Sequence, residues 1–149
     1  MKNLFFIALT VLCSLGVSAQ RSVNHKSPEQ QLNDTYCNGL FKTTDGTILD
    51  VASNTSAKSY FNILDWLEGR VAGLQVYTSG RGQSIPVIRG NVPGIYVDEI
   101  QVSVSYLQSL SINDIAMIKV IKTPFYGGFN GAGGAIAIYT ITVEEEENE

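Results

Sequence analysis

The run from residue 134 to residue 143 constrains the fold more than any other part of this sequence. Almost every residue in it is apolar or β-branched. A strand of this composition is typical of the middle of a sheet, where other elements cover both faces. The run follows a glycine-rich loop at residues 126–134. The sequence therefore predicts a layered fold built around at least one fully buried strand.

An amphipathic helix is predicted over residues 59–71. Its apolar residues recur with the helical period and form one continuous stripe. Two further aromatic residues, Phe61 and Trp66, flank this stripe and are expected to be core side chains. The stripe consists of Tyr60, Ile63, Leu64, Leu67 and Val71.

The remaining β-rich runs are short and are separated by turn residues such as Asp45-Gly46 and Pro93-Gly94. The order of the elements indicates an α+β fold, with a small mixed β-sheet, two short helices and long loops. We predict strands at residues 47–51, 74–77, 85–88, 95–102 and 115–121, and a second helix at 103–110.

The N-terminus has the three parts of a secretory signal peptide. Lys2 supplies the positive charge, residues 4–12 form an apolar run, and Val-Ser-Ala at residues 17–19 forms the cleavage site. The apolar run is too short to span about 30 Å of hydrocarbon. We therefore expect an exported protein, cleaved after residue 19, with no transmembrane segment of its own.

Four regions are predicted: the signal peptide at 1–19, a flexible N-terminal segment at 20–46, a folded domain at 47–143 and an acidic disordered tail at 144–149. The second region is polar, and its Cys37 is expected to be a free thiol in a mobile segment. The formal net charge is −4 at pH 7, but five glutamates occupy the last six residues. The domain itself is nearly neutral, so it offers no basic face to nucleic acid.

Catalytic and metal-binding patterns are missing from the sequence, so we predict that the protein is not an enzyme and uses no cofactor or metal. His25 is the only histidine, and no H-E-x-x-H, C-x-x-C or G-x-S-x-G pattern occurs. Asp98 and Glu99 are adjacent, and in a strand their side chains face opposite sides, which argues against a carboxylate pair. The glycine-rich loop lacks the lysine and the following helix of a phosphate-binding loop.

Short motifs follow one another in a fixed order through the second half of the sequence. They are Gly-Arg-Val-Ala-Gly-Leu-Gln-Val at 69–76, Ile-Arg-Gly at 88–90, Tyr-Val-Asp at 96–98, and the stretches 114–122 and 126–140. In this order they resemble the plug domain of TonB-dependent outer-membrane receptors, especially the SusC-like branch. The resemblance implies structural roles for Gly69, Gly73, Gly90, Asp98, Gly127 and Gly134.

Leu74 replaces a valine of the family pattern, and three further departures change charged or turn positions. Glu99 stands where the family has glycine, and Ala116 and Lys119 replace two glutamates of the later strand. In the family, cations of the Ile-Arg-Gly motif and of that strand are thought to contact glutamates of the barrel wall. The resemblance therefore implies barrel contacts for Arg89, Lys119 and Lys122, which should face a barrel or water because a buried charge needs a partner.

Two functions agree with this pattern. A receptor barrel of about 22 strands needs more residues than the sequence contains, so a barrel is expected on a separate chain. The first hypothesis is a non-catalytic accessory to outer-membrane uptake of a glycan or siderophore, docked on such a barrel. The alternative is a soluble periplasmic or secreted module that binds a ligand or a protein. Residues expected to face the solute are Arg81, Tyr126, Phe129 and Asn130.

Overall fold

A computed structural model of the protein describes residues 26–125 and 131–141. It confirms the α+β class and the small mixed sheet, with three short α-helices in these residues where the sequence predicted two. Within the same ranges, no helix has the length and apolar character needed to cross a membrane. The helices and strands are α1 (Pro28–Tyr36), β1 (Thr47–Asp50), α2 (Ile63–Leu67), β2 (Leu74–Thr78), β3 (Ser84–Ile88), β4 (Gly94–Val97), β5 (Ile100–Val102), α3 (Val104–Ser109), β6 (Ile115–Ile121) and β7 (Ala135–Thr140).

Strand β7 lies at the centre of the larger sheet, as the sequence predicted. The strand order in this sheet is β1-β6-β7-β4-β5, and β2 and β3 form a separate two-stranded sheet. Strand β7 pairs antiparallel with β6 and parallel with β4. Ile136 and Ile138 pack on one face, whereas Ala137 and Tyr139 pack on the other. A central strand that is apolar on both faces requires a cover on each.

The first face of the sheet is covered by α2, α3 and the β2–β3 hairpin. Leu64, Leu67 and Leu107 are buried in one hydrophobic cluster with Ile118 and Ile138. This cover uses the predicted strands 74–77 and 85–88 and the predicted helical stripe except Tyr60, which is exposed. The larger part of the core is therefore built as the hydrophobic pattern indicates.

The second face is covered by α1 and the residues that follow it. We call residues 37–42 the strap. Cys37 and Phe41 of the strap are fully buried in a second hydrophobic cluster. The ring centroid of Phe41 lies 4.9 Å from the rings of both Tyr96 and Phe125. For residues 26–46 this corrects the expectation of a flexible segment, which covered 20–46, and it corrects the expectation of a mobile Cys37 thiol.

Helix α1 forms in this polar segment because Ser27 and Gln30 form a reciprocal capping box at its N-terminus. Gln30 N donates to Ser27 Oγ at 3.2 Å, and Ser27 N donates to Gln30 Oε1 at 3.1 Å. Pro28 occupies the first turn, where it lacks only a donor that the helix does not use. No residue of α1 is fully buried, so its hydrophobic pattern gives little signal.

The predicted helix over residues 59–71 is longer than the helix that forms. Helix α2 is limited to Ile63–Leu67 because Asn62 caps its first turn and Gly69 takes a φ of 78° just after its end. Its apolar residues, including Trp66, are buried as expected. The expectation for Phe61 is wrong, since this side chain is 97% exposed.

The predicted single strand at residues 95–102 is in fact a hairpin of β4 and β5. Asp98 and Glu99 connect the two strands, with φ values of 46° and 68°. Two successive residues with positive φ are typical of a two-residue turn that matches the twist of the strands. The two carboxylates therefore share a turn, which corrects the expectation that they lie on opposite faces of a strand.

Gly133 and Gly134 lie between the segment that leads into β4 and the end of β6. A Cβ atom on Gly133 would overlap the carbonyl of Val92, and one on Gly134 would overlap the carbonyl of Ile121. Gly134 also has a φ of 77° and accepts a backbone hydrogen bond from Gly94 N at 3.0 Å. Glycine is required here by both conformation and space.

We predict that Gly134→Ala lowers the free energy of unfolding by roughly 2–4 kcal/mol, because it combines backbone strain with a collision at Ile121. Urea denaturation would measure the loss. Gly80→Ala is the matched control, since nothing lies within 4 Å of a Cβ there. Equal stabilities of the two variants would contradict the prediction.

Candidate functional site

Arg89 lies on a rigid two-residue turn. Ile88 N donates to Asn91 O at 2.8 Å, and Asn91 N donates to Ile88 O at 3.0 Å. Arg89 and Gly90 between them have φ values of 51° and 85°. Such a turn favours glycine, and it fixes the backbone from which the Arg89 side chain extends.

The turn is also anchored to the loop after α2, because Arg89 N donates to Gly73 O at 3.2 Å. Gly73 itself has a φ of 82°. The side chain of Arg89 is exposed and forms no ion pair with any described residue. The result is a surface cation on a fixed backbone that is available to an external carboxylate.

Lys122 lies at the end of the larger sheet where β4 begins, and the Arg89 turn precedes β4 in the chain. It follows β6 directly and is half-buried. The glycine pair Gly133–Gly134 packs against Ile121 on one side and Val92 on the other, so the segments that carry the two cations converge there. We call this region, with Arg89 and Lys122, the cationic end.

Lys119 does not lie at the surface, which corrects its expected role as a barrel contact. Its side chain is only 2% exposed. Its Nζ donates to Asn33 Oδ1 and to the strap carbonyl Phe41 O, both at 2.6 Å. Asn33 Nδ2 in turn donates to Lys42 O at 3.0 Å. Lys119 therefore fastens the strap to the second face of the sheet.

Glu99 also fastens the strap, and the only sequence signal for this role is the replaced glycine. Its Oε1 accepts from Gly39 N at 2.8 Å, and its Oε2 accepts from Leu40 N at 3.0 Å. Tyr139 Oη also donates to Oε1 at 3.3 Å. A left-handed backbone disfavours glutamate by about 1–2 kcal/mol, and these charge-assisted hydrogen bonds offset that strain.

Asp98 ties the hairpin turn to the end of β7. Its two carboxylate oxygens accept from Thr140 N at 2.9 Å and from Thr140 Oγ1 at 2.8 Å. Asp98 N donates to Ile138 O at 2.9 Å. An acidic side chain at this position thus closes the sheet at the end opposite the glycine pair.

Arg81, a predicted solute-facing residue, is exposed in the β2–β3 hairpin loop. The loop is closed by Ser79 N to Gln83 O and by Gly82 N to Ser79 O, both at 2.8 Å. The other predicted loop residues, Tyr126, Phe129 and Asn130, and the motif glycine Gly127, lie outside the described residues.

Comparison with known proteins shows where this fold occurs. No protein-family model and no curated protein matches the sequence. Among solved structures, the RagAB peptide importer in its "open-open" state is 31% identical, covers 66% of this chain and 12% of that chain, and has a TM-score of 0.52.

Two siderophore-related receptors are also similar in structure. The siderophore receptor PirA from Acinetobacter baumannii is 21% identical over 69% of this chain and 18% of its own, with a TM-score of 0.55. A mutant of the ferric enterobactin receptor PfeA from Pseudomonas aeruginosa is 20% identical over 68% and 18%, with a TM-score of 0.54. These two show the fold alone.

The matched part of each neighbour is its plug region, so the described residues have the fold that the sequence motifs implied. The similarity to the RagAB importer agrees with the SusC-like branch of the receptors, which the sequence motifs implied. This chain corresponds to only 12–18% of the length of these neighbours. Their names describe a transporter and receptors rather than enzymes.

We predict that Glu99→Gly loosens the strap without unfolding the domain. Glycine removes the backbone strain but also removes the acceptor of the Gly39 and Leu40 amides. The free energy of unfolding should change by less than about 1 kcal/mol, since the two effects oppose each other. Amide hydrogen exchange at residues 39 and 40 should accelerate about tenfold, and the Cys37 thiol should react faster. Unchanged exchange at both amides would contradict the prediction.

We predict that the buried ammonium of Lys119 makes the free energy of unfolding depend on pH. Burial lowers the pKa of its ammonium from the ordinary value of 10.5. Between that lowered pKa and 10.5 the unfolded state binds more protons, so this group makes the protein more stable as pH rises. Burial raises the pKa of Cys37 and Tyr139. Above their ordinary pKa values of 9.0 and 10.0, the folded state binds more protons than the unfolded state, so these two groups make the protein less stable as pH rises.

The comparison of wild type with Lys119→Met is the test, because both proteins keep Cys37 and Tyr139. Loss of the Lys119 charge also raises the pKa of Cys37 in the variant, which shifts the difference in the same direction. The difference in free energy of unfolding should shift in favour of the wild type as pH is raised from 7 toward 10.5. Urea denaturation at several pH values would measure it. A difference that stays constant with pH would rule out a lowered pKa for Lys119.

Proposed function

We propose that this chain, a plug domain of the TonB-dependent outer-membrane receptor type, is a non-catalytic accessory to outer-membrane nutrient uptake. It acts with a β-barrel on a separate chain, after export across the inner membrane. The fold supports this proposal, because the similar solved structures are transporters and receptors. The solute is of the glycan or siderophore type.

Arg89 is the observation that carries the proposal. It is exposed, it lies on a turn with a fixed backbone, and no described residue neutralises it. A cation of this kind gains most from a carboxylate on a partner, since Arg binds carboxylates in a bidentate manner. Lys122 also belongs to the cationic end and adds positive charge. With Lys119 buried under the strap, the cationic end is the proposed barrel contact.

The loops at residues 79–82 and 125–134 are the proposed solute-facing surface. Arg81 is exposed in the first of them. Polar and aromatic side chains in such loops suit sugars and metal chelates, which present hydroxyls and ring faces.

A second candidate function is a soluble periplasmic or secreted binding module. Two observations favour it: Lys119 is used inside the domain, and Phe61 is almost fully exposed. A domain whose second face is closed by its own strap does not need a barrel to cover that face. Calorimetry against glycans, haem and siderophores would test this alternative.

We predict that the tagged full-length protein captures a β-barrel protein from mildly solubilised outer membranes of the organism that produces it. The double variant Arg89→Glu/Lys122→Glu should lose this capture, because it places carboxylates against the proposed carboxylates of the barrel. Lys58→Glu is the matched control, since Lys58 is exposed in the loop before α2. Mass spectrometry of the captured proteins provides the measurement.

Two outcomes would contradict the proposal: the first overturns the accessory function, and the second overturns only its proposed contact. One is recovery of the protein as a soluble monomer with no barrel. The other is equal capture by wild type, the double variant and the control, which would remove the cationic end from the interface. The first outcome would favour the soluble binding module and direct attention to its ligand.

A further inference from the structure

Strand β1 lies at a free edge of the five-stranded sheet. It pairs with β6 on one side only, in the register Thr47↔Val120 to Asp50↔Met117. An edge strand presents a row of backbone N–H and C=O groups that another extended chain can use. Edges of this kind are the basis of peptide recognition by strand addition.

The outward backbone groups of β1 are those of Ile48 and Asp50. Val51 N donates to Ala116 O at 3.0 Å, and hydrogen-bonded positions alternate along an antiparallel pair, so Leu49 and Thr47 also direct their backbone groups toward β6. The backbone N–H and C=O groups of Ile48 and Asp50 then point away from the sheet. Outside the strand pairing itself, no backbone or side-chain group within residues 26–125 and 131–141 forms a hydrogen bond with their amides or carbonyls.

A groove of about 620 Å³ adjoins this edge. One side of it is formed by α1, through Glu29 and Leu32, and the strand itself contributes Ile48, Leu49 and Asp50. The other side includes Trp66 and Arg70. A strand added beside the four residues of β1 would extend about 13 Å, at about 3.3 Å per residue.

Among the described residues that line the groove, Arg70 is the one cation, and its guanidinium is held in the groove wall. Its guanidinium donates to Trp66 O and to Ser56 Oγ. It also stacks on two rings, with its central carbon 4.8 Å from the centroid of Trp66 and 5.5 Å from that of Tyr60. These contacts hold Arg70 as part of the groove wall.

The described lining of the groove carries two carboxylates, Glu29 and Asp50, against the one cation Arg70, so its net charge is negative. Neither Glu29 nor Asp50 forms an ion pair with any described residue. Asp50 Oδ1 accepts only a short-range hydrogen bond, from Ser53 N at 3.0 Å. Carboxylates beside unpaired edge groups favour an extended segment that carries lysine or arginine.

We propose that the free edge of β1 and its acidic groove form a docking site for an extended, basic polypeptide segment of a partner protein. The segment adds a sixth strand to the sheet through the backbone groups of Ile48 and Asp50. Its cationic side chains lie against Glu29 and Asp50. This site is separate from the cationic end, so it does not depend on the barrel contact proposed above.

The test uses the full-length mature protein and a designed probe, the acetylated and amidated peptide Thr-Lys-Val-Lys-Val-Thr. We expect it to bind more tightly than the matched peptide Thr-Glu-Val-Glu-Val-Thr in a fluorescence titration at low salt. Amide hydrogen exchange by NMR then locates the contact. Saturation with the lysine peptide should slow exchange at Ile48 and Asp50 about tenfold and leave Leu49, which already bonds to β6, unchanged.

Variants of the groove residues test how much the carboxylate charges contribute to peptide binding, independently of strand pairing. The double variant Glu29→Gln/Asp50→Asn should weaken binding of the lysine peptide by about three- to tenfold, because it removes both groove carboxylates and keeps their shape. Glu68→Gln is the matched control, since Glu68 is exposed outside the groove and should leave the affinity unchanged.

Three results would each overturn the proposal. The first is no binding of the lysine peptide at about 1 mM, the weak end of measurable affinity. The second is equal binding of the lysine and glutamate peptides. The third is binding that leaves exchange at Ile48 and Asp50 unchanged, which would show charge attraction without strand addition.

Discussion

Burial of β7 on both faces is the constraint on which the rest of this structure depends. Neither face of the strand tolerates water, because isoleucines lie on one side and Ala137 and Tyr139 on the other. A small domain must therefore supply two covers, and the first uses nearly all of its amphipathic elements. The second cover comes from α1 and the strap, whose Cys37 and Phe41 complete the core. The polar segment before the motifs is thus part of the folded unit.

Two of the departures from the family pattern serve this second cover. Lys119 stands where the resemblance implies glutamate, and its ammonium binds the strap carbonyl of Phe41. Glu99 stands where the resemblance implies glycine, and its carboxylate binds the strap amides of Gly39 and Leu40. A cation thus meets a carbonyl and an anion meets amides, so three successive residues of the strap are held by charges of suitable sign. Lys119 is consequently buried, and the carboxylate of Glu99 is used inside the domain.

Hydrophobic pattern and motif order predicted most of the sheet and the first cover, and the failures have specific physical reasons. The turn at Asp98 and Glu99 was missed because glutamate at positive φ gives no turn signal, and only tertiary hydrogen bonds stabilise it there. The inward direction of Lys119 was missed because alternate residues of β6 are apolar on both faces, so period-two patterning cannot assign a side. Helix α1 was missed because capping at Ser27, rather than an apolar stripe, defines it. Of the three cations expected to contact a barrel, the structure leaves Arg89 and Lys122 at the cationic end.

The free edge of β1 also bears on self-association. Exposed edges tend to pair with identical edges, which leads to aggregation. Pairing of β1 with β1 of a second copy about a two-fold axis would bring the carboxylates of Glu29 and Asp50 toward those of the other molecule. Like charges placed opposite each other in a sheet are destabilising. The same acidic residues that favour a basic partner segment therefore disfavour a second copy of this chain, so one feature of the edge provides both attraction and protection.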